Sequence, residues 1–232
     1  MTFDETMAEL EALGTAQNRK VYTRHGAKKP MFGVSYANLG KLKKKIKTAH
    51  ALALQLWDTG NHDARVLAMM IADPQLANPP MLEGWARVLD NYIHTDAFSG
   101  YVGKTSYAED MMRTWVEADA EFVEAAGWNL LGASAMYAKR LPDDLFRPFI
   151  ERIERDIHGA KNRVRYAMNN ALIAIGTRSD PLEEETFEAA ERIGVVEVDH
   201  GETGCKTPDA APYIRKARAH RRKKDAKTTV AP

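Results

Sequence analysis

The stretch DNYIHTDAFSGYVGKT, Asp90 to Thr105, admits two readings that lead to different folds. A phosphate loop of the form G-x-x-x-x-G-K-[ST] wraps its ligand in consecutive backbone N–H groups and sits between a buried strand and a helix. Gly103, Lys104 and Thr105 supply the end of that pattern, but the position of its first glycine holds Phe98. Upstream, RVLDNYIHTD is amphipathic where a nucleotide fold places an apolar strand. The other reading is an acid-bearing helix. It sets Tyr92 and Asp96 four residues apart on one face, with Asp90 and His94 on a neighbouring face. An aromatic ring beside a carboxylate can hold a cationic planar group, although a core tyrosine beside a surface acid has the same spacing. Asp90 and His94 are two candidate ligands without a third, too few for a metal site.

The helical reading extends along the chain. Almost every segment has a helical period, and none shows the period-2 alternation of β-branched residues expected of a half-buried strand. GTAQN (14–18), GAKKPMFG (26–33), DTGNHD (58–63), ADPQLANPP (72–80) and LPDD (141–144) interrupt it at short intervals. NPPMLEGWARVLDNY places Asn78 and two prolines before an apolar stripe of Met81, Leu82, Trp85, Val88 and Leu89. In SDPLEEETFEAAERIG, Asp180 is expected to cap, Pro181 suits the first turn and Gly194 ends the helix. Short helices joined by short turns predict an all-α chain of stacked helical hairpins, a solenoid or else a helical bundle. A helical-repeat domain is expected over residues 1–197, followed by a packed extended segment at 198–214 and a basic disordered tail at 215–232.

The 232 residues are 44% apolar, enough for a sizeable core, and carry a net charge of +1. No run approaches the ~18 apolar residues of a membrane span, and the acidic start lacks the features of a secretory signal. Cys205 is the one cysteine, so a disulfide framework is excluded and a reducing cytoplasmic setting is expected. G-x-S-x-G and H-x-x-x-H are both absent, and no cofactor signature is present. The near-neutral total hides segregation. From Ala12 to Trp57 there is no Asp or Glu, yet that stretch holds Arg19, Lys20, Arg24, Lys28, Lys29, Lys41, Lys43, Lys44, Lys45 and Lys47. Such a run can attract a polyanion whatever the total charge.

QNRKVYTRHGAKKPMFGVSYANLGKLKKKIK, ALALQLWDTGNHDARVLAMMIAD and DNYIHTDAFSGYV occur in this order within about residues 5–195. In order and spacing they resemble the HEAT-like-repeat DNA alkylation repair proteins, the AlkD-type alkylpurine DNA glycosylase family. The resemblance implies a curved stack of helix pairs whose concave basic face grips duplex DNA, in a nucleoid-associated monomer. It places Tyr92 and Asp96 on the catalytic positions. Asp96 would stabilise the oxocarbenium-like sugar as the N-glycosidic bond of a cationic alkylated purine breaks. Arg19, Lys20, Arg24, Lys43, Lys44 and Lys47 would hold phosphates, with Arg65, Lys139 and Arg152 extending the track and Arg163 and Arg165 entering from a later helix. Six such contacts imply a log–log salt slope on the order of −5. The sequence departs from the family pattern where a cleft arginine is expected, at Ala125 and Ala126, and where a second cleft aromatic is expected, at Asn170. Glycosylase chemistry is the first expectation. A non-catalytic binder of damaged or branched DNA and a helical scaffold for protein partners are the alternatives.

Overall fold

The computed structural model describes residues 1–229, with side chains placed as far as Lys223. Thirteen α-helices, and no strand, are found among these residues. They are α1 (Phe3–Leu13), α2 (Ala16–Arg24), α3 (Tyr36–Ile46), α4 (His50–Asp58), α5 (His62–Ile71), α6 (Pro79–Ala86), α7 (Tyr92–Val102), α8 (Ala108–Trp115), α9 (Glu121–Tyr137), α10 (Arg147–Asp156), α11 (Asn162–Gly176), α12 (Asp180–Ile193) and α13 (Ala210–Thr229). The sequence around Asp96 is therefore helical. Asn91 accepts from the His94 N–H to start α7, and Gly103 closes it in a right-handed conformation with no phosphate loop.

Capping chemistry sets most of the helix starts. Thr2, Thr15, Ser35, Asn61, Asn78 and Asn91 each accept a hydrogen bond from an N–H of the following turn. Such a cap contributes about 1 kcal/mol by satisfying a donor that the helix leaves orphaned. α12 differs by one residue from expectation, because its cap is Ser179, with Asp180 and Pro181 inside the first turn.

The chain forms two compact units, where the sequence led us to expect one domain to residue 197. The first runs from Met1 to Asp110 and includes His200–Gly204; the second runs from Met111 to Asp199 and resumes at Cys205. In the first, α4 packs on α5 and α5 also meets α3 and α7. Contacts between helices two apart in sequence are what stacked hairpins produce. The core here includes Leu39, Leu56, Leu67, Leu82 and Phe98, with Trp57 and Trp85 stacked at a ring separation of 4.1 Å. In the second, α9 lies along α11, α10 on α12, and α13 against both α11 and α12. Gly176 at the end of α11 permits the close approach of α12 and α13, since a Cβ there would collide with Thr186 Oγ1 and sit 2.9 Å from Ile214 Cγ2. Trp128, Phe146, Leu172 and Ile214 fill this core.

The C-terminal expectation is corrected over residues 210–229. These form α13, neither an extended segment nor a disordered tail, and Val230 to Pro232 lie outside the described residues. Low apolar content argued against folding, but Ala210, Ala211 and Ile214 are buried and the arginines find carboxylates on α12. Arg218 is 8% exposed and donates to Glu183 and to Asp180, while Arg215 reaches Glu183 and Glu184. Arg222 joins the same network through Asp180 at 2.9 Å. Hydrogen bonds from Arg222 and Arg218 hold the Asp180 carboxyl below its usual range.

Candidate functional site

The site in the first unit is built on the turn between α2 and α3. Asp63, in the first turn of α5 and 0% exposed, accepts three backbone N–H groups, from Phe32 at 2.6 Å, Gly33 at 2.9 Å and Val34 at 2.7 Å. Charge-assisted bonds of this kind each contribute about 1.5–3 kcal/mol, so one carboxylate fixes the whole turn. Gly33 sits at φ +81°, and a Cβ there would meet the Thr15 carbonyl oxygen at 2.6 Å. Only glycine suits that position. Tyr22 donates to the Val34 carbonyl at 2.6 Å and Arg19 to that of Phe32 at 2.9 Å, locking the turn to α2. Burial, with the Asp63 charge second, raises the Tyr22 hydroxyl to about 12.

The fixed turn delivers Tyr36 to the first position of α3, where it stays 45% exposed. Desolvation and then the nearby Tyr22, Asp96, Tyr92 and Asp63 push its hydroxyl up to about 12. Tyr92 and Asp96 on α7 thus lie near enough to Tyr36 on α3 for their charges to act on its hydroxyl. Asp96 is exposed and Tyr92 half-buried. The Tyr92 hydroxyl is hydrogen-bonded to His25 Nδ1 at the end of α2, and the two rings meet edge to face at 5.7 Å. Neither Tyr36 nor His25 was singled out from the sequence. The break GAKKPMFG (26–33) lies just before Tyr36 and is the sequence signal nearest to it.

Beneath this cluster, the rings of His62 and His94 stack at 4.4 Å. Asn91 Nδ2 donates to His94 Nδ1 at 3.1 Å and His94 Nε2 to the His62 carbonyl at 3.3 Å, the pattern of a neutral imidazole. Burial lowers both histidines to about 4, and His62 further disfavours protonation of His94. Asp90 pairs with exposed Lys28 at 3.5 Å. Asp90 and His94 do come within 3.8 Å, but no three potential metal ligands cluster among the described residues.

The basic residues divide by surroundings. On α3, Gly40 and Lys43 follow Tyr36 at helical spacing, so Lys43 shares its face, and Lys47 follows at the cap. Lys44 flanks that face, whereas Lys45 points the other way and pairs with Glu9 at 2.8 Å. Lys20, Arg24, Lys43, Lys44 and Lys47 are exposed and lack a carboxylate partner among the described residues. Other positions are held by packing. Arg65 lies over the Trp57 ring at 5.0 Å and Arg152 over Trp128 at 5.4 Å.

In the second unit, Arg163 lies over the Tyr166 ring at 4.7 Å, and Arg165 donates to the Glu197 carbonyl at 2.9 Å. Ala125 and Ala126 are 3% and 0% exposed inside α9, so neither methyl reaches a ligand surface. Asn170 is half-buried on α11.

Two Listeria proteins are similar along nearly their whole length. Lmo0209 of Listeria monocytogenes is 30% identical over 224 residues, covering 94% of this chain and 98% of that protein. Lin0241 of Listeria innocua is 28% identical over 225 residues, with the same coverage. Among solved structures, one superposes with a TM-score of 0.87 at 29% identity over 96% of both chains. That structure represents a new family of proteins related to the HEAT-like repeat DNA glycosylases with affinity for branched DNA structures. The helical-repeat fold is thus HEAT-like. The DNA alkylation repair enzyme profile spans residues 6–227, and this chain belongs to that family.

Proposed function

We propose that this protein binds DNA through the α2–α3 face of its first unit, with a preference for distorted or branched structures, and sets Tyr36, Tyr92 and Asp96 against the DNA. The observation that carries this reading is the exposed Tyr36 ring on the same face of α3 as exposed Lys43, with the Asp96 charge near enough to act on Tyr36. Phosphates supply most of the attraction, while the open Tyr36 ring offers a stacking surface to an unpaired or displaced base. The similarity to a family with affinity for branched DNA supports the preference. Ala125 and Ala126 being buried supports binding without an arginine clamp at the lesion. Fluorescence anisotropy with a four-way junction tests it. Tyr36→Ala is expected to weaken junction binding by about 1–3 kcal/mol, and unchanged affinity would remove the cluster from the interface.

A second reading adds chemistry. Exposed Asp96 beside two tyrosine rings suits stabilisation of a cationic sugar as an alkylated purine departs. It predicts release of methylated purines from duplex DNA by the parent, with a loss on the order of 100-fold or more in Asp96→Asn. Equal release by both proteins, or none by either, would leave the binding reading alone.

A further inference from the structure

The second unit carries a cleft whose charge its own structure does not consume. A cleft of about 350 Å³ opens between the end of α9 and α13, with Lys139, Arg178, Arg218 and Arg221 in its wall and Asp143 as its one lining carboxylate. Arg178 is tied down. It donates to the carbonyls of Ala135 at 3.0 Å, Ala138 at 3.2 Å and Leu141, and to Asp143 at 2.8 Å. Arg218 is matched by Glu183 and Asp180. Arg221 donates to the neutral Thr177 carbonyl, and Lys139 is exposed. Neither has a carboxylate partner among the described residues, so two positive charges face the cleft uncompensated.

An adjoining cleft of about 400 Å³ shares Met136 and Arg221 and adds Tyr213, Lys216 and His220. Lys216 is exposed and again has no carboxylate partner among the described residues, while Tyr213 is 51% exposed. Cations that lack counter-ions, beside an open aromatic ring, match a nucleotide: phosphate oxygens against Lys139, Arg221 and Lys216, and a base over Tyr213. Arg178 and Asp143 neutralise one another in the wall, so the net attraction comes from Lys139, Arg221 and Lys216. We infer that this cleft is a second nucleic-acid contact, taking a backbone phosphate with its neighbouring base. The inference rests on the DNA-binding reading above and deepens it by giving the second unit a nucleic-acid contact of its own.

The test uses the full chain and the double variant Lys139→Glu, Lys216→Glu, both exposed positions, with unchanged melting as the folding control. Anisotropy is measured on a four-way junction and on a linear duplex of matching sequence. The variant is expected to bind both DNAs more weakly, the junction by about tenfold or more, with its log–log salt slope reduced by about 2. In parallel, the dinucleotide pTpT is titrated and followed by NMR at the Tyr213 ring and the Arg221 side chain. Saturable shifts that vanish in the variant, with inorganic phosphate binding more weakly, support the site. Junction affinity within twofold of the parent overturns it, as does equal affinity for phosphate and dinucleotide, which would mark a bare anion site. A parent that binds neither DNA would instead remove the first-unit reading, and the dinucleotide titration would still decide the cleft.

Discussion

The basic residues of the two units are put to opposite uses. Around the first site, Lys20, Arg24, Lys43, Lys44 and Lys47 stand in solvent without carboxylate partners among the described residues, whereas, outside the cleft of Lys139, Lys216 and Arg221, most arginines packed on α12 are engaged with acids. Arg147 meets Glu185, Arg192 meets Glu154, and Arg215, Arg218 and Arg222 share Asp180, Glu183 and Glu184. A run of cations is therefore a ligand surface or an internal strut according to what faces it in three dimensions. Lysine, a flexible point charge, dominates the open face; arginine, with its planar fork, dominates the strut.

That contrast is sharpest at Glu183, 2% exposed and shared by three arginines of α13. Glu183→Ala removes the buried carboxylate that the three arginines share, leaves buried Arg218 with only the more exposed Asp180, and should destabilise the chain by up to about 3–5 kcal/mol. Urea denaturation reads this directly, and a loss below ~1 kcal/mol would show the network to be decorative.

The stacked histidines under the first site probe the other extreme, buried groups that must stay neutral. Both are lowered from 6.5 to about 4 by burial. The unfolded chain then binds more protons than the folded one between these values, so stability rises with pH there. It is fully present above pH 6.5 and is lost progressively as pH falls toward 4, on the order of 3 kcal/mol per histidine. His94→Gln should flatten this part of the stability profile, and a pH-independent stability across the window would contradict the neutral pair.

Charge reversal on the open face should do the reverse of Glu183→Ala. Lys43→Glu with Lys47→Glu removes no carboxylate contact among the described residues, so stability should fall only by the helix-dipole cost of about 1–2 kcal/mol. DNA affinity should fall more than tenfold, with a salt slope shallower by about 2. Unfolding in place of lost affinity would make these lysines struts after all.

Local chemistry was legible in the sequence and long-range pairing was not. Helical periods, the Asn78 cap and the Tyr92–Asp96 spacing depend on residues within one or two turns, and each is where the pattern placed it. Asp63 holds N–H groups 29 to 31 residues away, and nothing in DTGNHDARV marks that reach. Tyr36 enters the cluster only because that clamp aims α3. α13 was missed for a related reason. Its own composition argues for disorder, and its partners on α12 lie 31 to 42 residues upstream. EEE at Glu183 to Glu185 was legible as dipole complement to α12, but that describes one helix and not what docks on it.

Lys47 separates the two uses of charge within a single residue. It ends α3 at φ 65° and ψ −134°, a left-handed conformation that costs a side chain bearing a Cβ roughly 1 kcal/mol and glycine almost nothing. Its N–H still closes the helix on the Lys43 carbonyl at 2.7 Å, a bond that glycine retains. Lys47→Gly should therefore raise stability by up to about 1 kcal/mol while reducing the salt slope of DNA binding by about 1. Lys47→Ala provides the control, since it removes the same charge and keeps the strain. If glycine weakened both stability and binding, Lys47 would be part of the fold's own bonding, and the division between an open first-unit face and an internally paired second unit would fail at its best-defined residue.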